Sequence, residues 1–405
     1  MKQIIIIIVM ILFLTGCSFG NRGVTNIKMI DLTTMSLTEI KEYTKTNKLN
    51  LKIEQEYNYD LSKDKIISQS ITKNTIVKTG DTVTVVVSLG PIPVSVYQEN
   101  KVNELGNIPI MMYHSIVNKL SDETPYTGGN VDKDGYNRTT EAFRNDLEMY
   151  YQSNYRMIRL IDYMNGIIDV KLGKSPIVLT FDDGNRDNIN ILGLDDKGNL
   201  MIDPNCAVGI LESFKQKYPD FGVTATFFLN KGLFRQSKYN DKILLWLIDN
   251  GYDIGNHTKS HVDFNSADAA KSQEEVAYMY KLFDSLIPNK YVHIVALPFG
   301  SPGKKSHANF PYILEGTYED YNYKTEGTLQ VGCDADYSPF HIKYDKTFMK
   351  RVRAWDNNGG GFDIQMVFNS LEKNRYISDG DKNTIVISND KNLNVAINDK
   401  KIIKY

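Results

Sequence analysis

The chain has little that would tie it to a membrane span, a disulfide framework or a nucleic acid. Its long apolar run, Ile4 to Leu14, is too short to cross a bilayer. The three cysteines, Cys17, Cys206 and Cys333, cannot form a disulfide framework, and their spacing matches no zinc site. A formal net charge of −2 over 405 residues leaves no electrostatic footprint of a nucleic-acid partner. Tryptophan is scarce, 2 residues against 25 Tyr, and tyrosine in such numbers suits sugar-facing grooves and half-buried strands alike. What is present is a globular composition, 41% hydrophobic and 24% charged, of a length for two or three domains.

The apolar run follows Met1-Lys2-Gln3 and has the length of a signal-peptide core. Leu14-Thr15-Gly16-Cys17 at its end resembles the lipobox of bacterial lipoproteins. That resemblance implies cleavage before Cys17, lipidation of its sulfur, and a protein held at the extracytoplasmic face of the cell membrane. A plain secretory signal is the alternative. Residues 1–16 are then a signal peptide and 17–26 a small, polar tether.

Residues 27–90 form a first module. Ser36 and Glu39 make a capping box ahead of Leu37, Ile40 and Tyr43 at helical spacing. Leu49 to Ile53, Lys65 to Ile71 and Thr82 to Ser88 read as strands, the last with Val83, Val85 and Val87 on one face. One helix on a three-stranded sheet buries both apolar faces. Ile66 to Ser70, Gly80-Asp81-Thr82-Val83 and Val87 to Pro91 resemble a PASTA module. The resemblance implies a location outside the membrane and peptidoglycan binding; a spacer that lifts the next domain off the membrane is the alternative.

Pro91-Ile92-Pro93 begins a stiff linker over residues 91–106, and a second core opens at Ile108 to Tyr113. Over residues 107–370 helical and strand patterns alternate, which argues for a parallel sheet or barrel with helices outside. Two long polar connections, Asn118 to Thr139 and Asn185 to Asn205, leave strand ends that carry candidate catalytic groups and are expected to border a substrate groove. Residues 371–405, with patches Asn383 to Ile387 and Asn394 to Ile397, suggest a small hairpin extension.

The informative stretch is Pro176 to Gly184, an apolar strand ending in Asp182-Asp183-Gly184. Successive strand side chains point to opposite faces, so both carboxylates reach one site only if the chain bends, which Gly184 allows. Two like charges so close hint at a metal, although Asp-Asp-Gly alone also reads as a plain turn. His257 and His261, four residues apart, can meet one ion if their segment makes a helical turn. Two histidines and a carboxylate with open positions are a usual hydrolytic or redox metal arrangement.

Thr180-Phe181-Asp182-Asp183-Gly184, Ala225-Thr226-Phe227-Phe228 and His257 to His261 resemble, in this order, the polysaccharide deacetylases of carbohydrate esterase family four. Met112-Tyr113-His114-Ser115 is similar to the branch that includes biofilm poly-N-acetylglucosamine deacetylases. The resemblance implies an α/β chain with a distorted (β/α) barrel preceded by the small α+β module. It also implies Asp182 as general base, Asp183, His257 and His261 as ligands of a divalent metal, and His114 as general acid, with His341 in reserve. His293 and His307 look structural or exposed. The backbone N–H of Phe299, in Pro298-Phe299, would serve the oxyanion. Zinc suits the ligand set, as do cobalt, nickel and manganese.

Two departures stand out. Leu297 and Phe299 replace the family's Arg and Tyr, so Asp182 needs another partner, which Arg351 or Arg353 could supply. The usual acidic and Trp pair has only Asp334, Asp336 and Trp355 as possible matches. The implied function is removal of N-acetyl groups from peptidoglycan amino sugars. A poly-N-acetylglucosamine exopolysaccharide is the alternative substrate, and a non-catalytic glycan-binding lipoprotein the alternative role.

Overall fold

The computed structural model describes residues 26–118, 136–332, 334–356, 363–393 and 400–405. The signal peptide, lipidation at Cys17, nearly all of the tether, Cys333 and the expected strand Asn394 to Ile397 lie outside the described residues. The chain divides between Glu99 and Asn100 into two compact units.

In the first unit the strand Thr82–Ser88 is central, parallel to Asn50–Glu56 and antiparallel to Ile66–Gln69. The helix Leu37–Thr46 starts with the expected capping box: Ser36 N–H donates to the Glu39 carboxylate (2.7 Å) and Glu39 N–H to Ser36 Oγ (3.3 Å). Val83, Val85 and Val87 are buried together with Ile40. A two-stranded antiparallel ribbon, Asn26–Lys28 with Ile76–Lys78, adds to the expected helix and sheet.

The second unit is built on a curled parallel sheet. Its strands run in the order Gly327–Leu329, Ile294–Ala296, Asp253–Asn256, Thr226–Leu229, Ser175–Phe181, Ile110–Tyr113 and Val352–Arg353, with Tyr155–Met157 also pairing to Ser175–Phe181. The segment before Val352 bridges the two edges: Met349 N–H donates to Thr328 O (2.9 Å) and Gln330 N–H to Met349 O (2.9 Å). Every residue of Ser175–Phe181 is buried, because the strand has a core on each side. Ile177, Leu179 and Phe181 pack outward against helix residues such as Phe143, Leu147, Leu211 and Leu244, while Val178 packs inward with Ile110, Phe228 and Leu329. That double burial is why the strand reads as a continuous apolar run.

Two expectations need correction. Residues 102–106 are not linker, and 371–405 are not an appendage, because a buried carboxylate joins them. Glu104 accepts from Tyr376 Oη (2.7 Å) and from Val386 N–H (2.7 Å), and Ile385 and Ile387 share the core of Ile108. Thr384–Ile387 pairs in parallel with Lys401–Lys404, a strand beyond the two patches noted in the sequence. Within the connection after the Asp-Asp strand, Ile191–Leu194 and Leu200–Ile202 form an antiparallel ribbon.

Candidate active site

The site lies where the central parallel strands end. Asp182 still follows the sheet, its N–H donating to Tyr113 O (2.9 Å), and the chain turns at the next residue. Asp183 (φ 75°) and Gly184 (φ 59°) both adopt left-handed backbone, so the bend starts one residue before the glycine. Gly184 is needed for space as well, since a Cβ there would stand 2.2 Å from Leu233 O.

His257 and His261 do not sit on a helical turn. Thr258 (φ 65°) and His261 (φ 58°) take left-handed conformations in an irregular loop that follows Asp253–Asn256. Side chains hold the loop in that shape: Asn230 Nδ2 donates to His257 O (2.6 Å), and Ser260 N–H donates to the Glu275 carboxylate (2.7 Å). Backbone in such sparsely populated regions persists only when its surroundings over-determine it. The strain brings the imidazoles together at a ring separation of 4.9 Å, with His257 Nε2 3.3 Å and His261 Nε2 3.6 Å from Asp183 Oδ1.

These three side chains fit a cation. One ligand atom from each lies within 4.8 Å of the others. His257 Nδ1 is 2.9 Å from Ala296 O, and a carbonyl can only accept, so Nδ1 carries a proton and Nε2 is the nitrogen left to face a cation. Nε2 is buried and makes no hydrogen bond of good geometry. Burial opposes charge on His257, yet Asp182 and Asp183 outweigh it and hold its pKa above the ordinary histidine value. The acidic pair therefore favours a positive charge at this point.

Asp182, 1% exposed, faces the same point. The fully buried Arg351 grips it with two bonds, 2.8 Å to Oδ1 and 2.7 Å to Oδ2, and is itself held by Gln330 O (2.7 Å). Burial raises the Asp182 pKa, but Arg351, followed by His257, overcomes it and the carboxyl lies well below its usual range. His114 Nε2 stands 3.9 Å from Asp182 Oδ2, and burial lowers the His114 pKa to about 4 in spite of the two aspartates. Asn188, buried in the connection after the Asp-Asp strand, fixes the backbone of His114 by donating to its carbonyl (2.7 Å). The cavity over these groups, ≈ 310 Å³, is walled by Tyr136, Leu297, Phe299 and Val331.

A PASTA domain model matches residues 27–89, and a polysaccharide deacetylase model matches residues 169–310. The chain carries a polysaccharide deacetylase domain. It is 22% identical over 205 residues to YxkH of Bacillus subtilis (strain 168), a polysaccharide deacetylase by name, which covers 49% of this chain and 59% of that relative. The chain thus spans less than two thirds of the length of the curated relative it matches. Similar solved structures include the Streptococcus pyogenes deacetylase PplD in complex with acetate (16% identity, TM-score 0.46, 65% of this chain and 98% of that one). Another is BA0330 of Bacillus anthracis, a polysaccharide deacetylase by name (16% identity, TM-score 0.45, 68% and 69%).

Asp182, Asp183, His257, His261 and Phe299, within the matched residues, and His114, ahead of them, all reach one cavity. Phe299 (φ 56°) sets its ring edge-on to His261 at 4.4 Å. His341 lies elsewhere, stacked on Tyr337, while His293 packs with Tyr280 and Tyr291. Of the two candidate arginines it is Arg351 that meets Asp182; Arg353 lies over the rings of Tyr136 and Trp355. Asp336 pairs with Ile108 ahead of the strand that leads to His114, hence at the opposite end of the sheet, and accepts from Tyr163 Oη (2.9 Å). Of the two long connections, the first places Tyr136 against His114 and in the cavity wall, whereas the second contributes no wall residue and braces His114 from behind. Val331, Asn188 and the walling role of Tyr136 carried no signal in the sequence.

Proposed function

We propose that this chain is a metal-dependent hydrolase that removes N-acetyl groups from N-acetylglucosamine-type sugars of cell-wall peptidoglycan. We further propose that it works at the extracytoplasmic face of the membrane, anchored through Cys17. The observation that carries the reading is the convergence of Asp183, His257 and His261 on one point beside a separately held, ionised Asp182. The PASTA domain supports the choice of wall glycan, since a module that meets it would raise the local substrate concentration.

Asp183, His257 and His261 would hold the cation, with zinc the natural occupant of such ligands. When bound, it supplies Lewis acidity to the acetamide carbonyl and lowers the pKa of water in the cavity. Asp182 takes the proton of the attacking water. A carboxylate held as low as this one is a weak base, so it works only on water that is already acidified. Arg351 fixes the carboxylate plane and keeps it ionised. The Phe299 backbone, at the cavity wall, is the candidate to offer its N–H to the tetrahedral oxyanion. His114 rests neutral and, 3.9 Å from Asp182, is the group through which the proton reaches the departing nitrogen. The place of His114 in the site favours, as a second reading, an exopolysaccharide of N-acetylglucosamine.

The test is acetate release from purified wall and from N-acetylglucosamine polymers, with and without chelator, for wild type and Asp182→Asn. Turnover should require metal, prefer wall glycan and vanish in Asp182→Asn, which still binds zinc. Full activity of that variant would remove Asp182 from its role.

A further inference from the structure

Both imidazoles that converge with Asp183 sit on a strained loop, and the loop is tied to one buried side chain. Glu275 lies on the helix Ala269–Leu286 and is completely buried. Its Oε2 accepts from Ser260 N–H (2.7 Å) and its Oε1 from Ser260 Oγ (2.6 Å), so one carboxylate takes both hydrogen-bond donors of the residue that precedes His261. Its main chain completes the hold, the Glu275 carbonyl accepting from Lys259 N–H (3.0 Å). Lys271 Nζ, one helical turn earlier and 2.9 Å from Oε1, balances its charge.

A buried carboxylate is costly, and a helix facing a loop could be packed with an apolar residue instead. What Glu275 does that an apolar residue cannot is pin Ser260 between two left-handed residues, Thr258 and His261, whose conformations the chain would otherwise leave. The aim of His261, and through the shared loop that of His257, follows from this bond pair.

We propose that Glu275 is a positioning residue for the cation site: it touches neither the ion nor substrate, but sets the distance between the two imidazoles and Asp183. The inference rests on the reading that these three side chains hold a metal. Its test is therefore binding of zinc alone to the full chain, measured by competition with a chromogenic chelator, alongside the unfolding temperature of each variant without metal. Outer groups of this kind typically govern about 10–100-fold in metal affinity. Glu275→Ala should weaken zinc binding by roughly that factor, and Glu275→Gln, which keeps one acceptor, should fall between it and wild type. Ser260→Ala, which removes one of the two bonds and buries no orphan charge, should cost about 3–10-fold and serves as the reading should Glu275→Ala not fold. A merely structural role would lower the unfolding temperature and leave zinc affinity in place. Folded variants that bind zinc within about twofold of wild type would overturn the proposal, since that lies far below the range for such groups. Wild type that binds no more zinc than Asp183→Ala would instead overturn the metal reading itself.

Discussion

Replacing Arg351 by Met removes the charged partner of a carboxylate that is almost wholly buried at the cavity floor. Arg351 is 0% and Asp182 1% exposed, and the two bonds between them, 2.8 and 2.7 Å, have the lengths of charge-assisted pairs. Taking one member from such a buried pair costs about 3–5 kcal/mol, because the other charge is stranded. The stranded Asp182 also loses its fixed plane, and a base misplaced by an ångström costs on the order of 100-fold in rate. Urea denaturation of the metal-free protein at pH 7 should show the stability loss. Steady-state acetate release should show kcat falling at least about tenfold while KM changes by less than about threefold, the split expected when orientation rather than binding is lost. The decisive arm is a double-mutant cycle. In an Asp182→Asn background no charge is left to strand, so the same Arg351→Met change should cost at least about 2 kcal/mol less. A loss below about 1 kcal/mol, or an equal loss in both backgrounds, would show that the pair is not what holds these strands together, since it would lie far under the cost of stranding a buried charge.

Two further perturbations test other parts of the molecule. Gly184→Ala forces a side chain into left-handed backbone and against Leu233 O at 2.2 Å, so a loss of about 2–5 kcal/mol is expected in urea unfolding, together with weaker zinc binding as Asp183 shifts; unfolding within about 1 kcal/mol of wild type would count against the strained turn. Asp336 lies away from the site, and burial raises its pKa from 3.8 to about 7. An acid raised on folding binds more protons folded than unfolded, so its share of stability declines as pH climbs from 4 to 7 and is flat beyond. Asp336→Asn should therefore gain on wild type across that interval, by up to ~4 kcal/mol, and a difference in unfolding free energy that stays constant from pH 4 to pH 8 would refute the shift.

How much of this was legible follows from where each signal resides. The capping box at Ser36, the valines at 83, 85 and 87 and the helix residues Phe143, Leu147 and Tyr150 announce themselves because burial repeats with the period of the element. Glu104 does not: a lone acid in a polar stretch reads as solvated, and only the fold shows that Tyr376 and Val386 wait for it. The same limit turned residues 102–106 into a linker and hid the pairing of Thr384–Ile387 with Lys401–Lys404, since strand partners in parallel pairing are not neighbours in sequence.

At the site, the side chains proposed to hold a cation were legible because that chemistry restricts their type, but the backbone that aims them was not. Spacing of four residues between His257 and His261 suggests a helical turn, yet the chain reaches the same end with two left-handed residues and a buried glutamate. Nothing local to that loop encodes Glu275, which lies fourteen residues on from His261. Arg351 makes the point most sharply. The expected Arg would stand where Leu297 stands, and judged at that position alone the site looks degraded. The bridged sheet changes the conclusion: by pairing Val352–Arg353 with Ile110–Tyr113 and Met349 with Thr328, it lays a late strand beside the Asp-Asp strand's neighbour and delivers a guanidinium to Asp182 from the other side. What chemistry demands is a fixed donor fork at the carboxylate, and any strand that the topology brings there can supply it. A missing motif residue is therefore evidence of lost function only after every strand end at the site has been searched for its replacement.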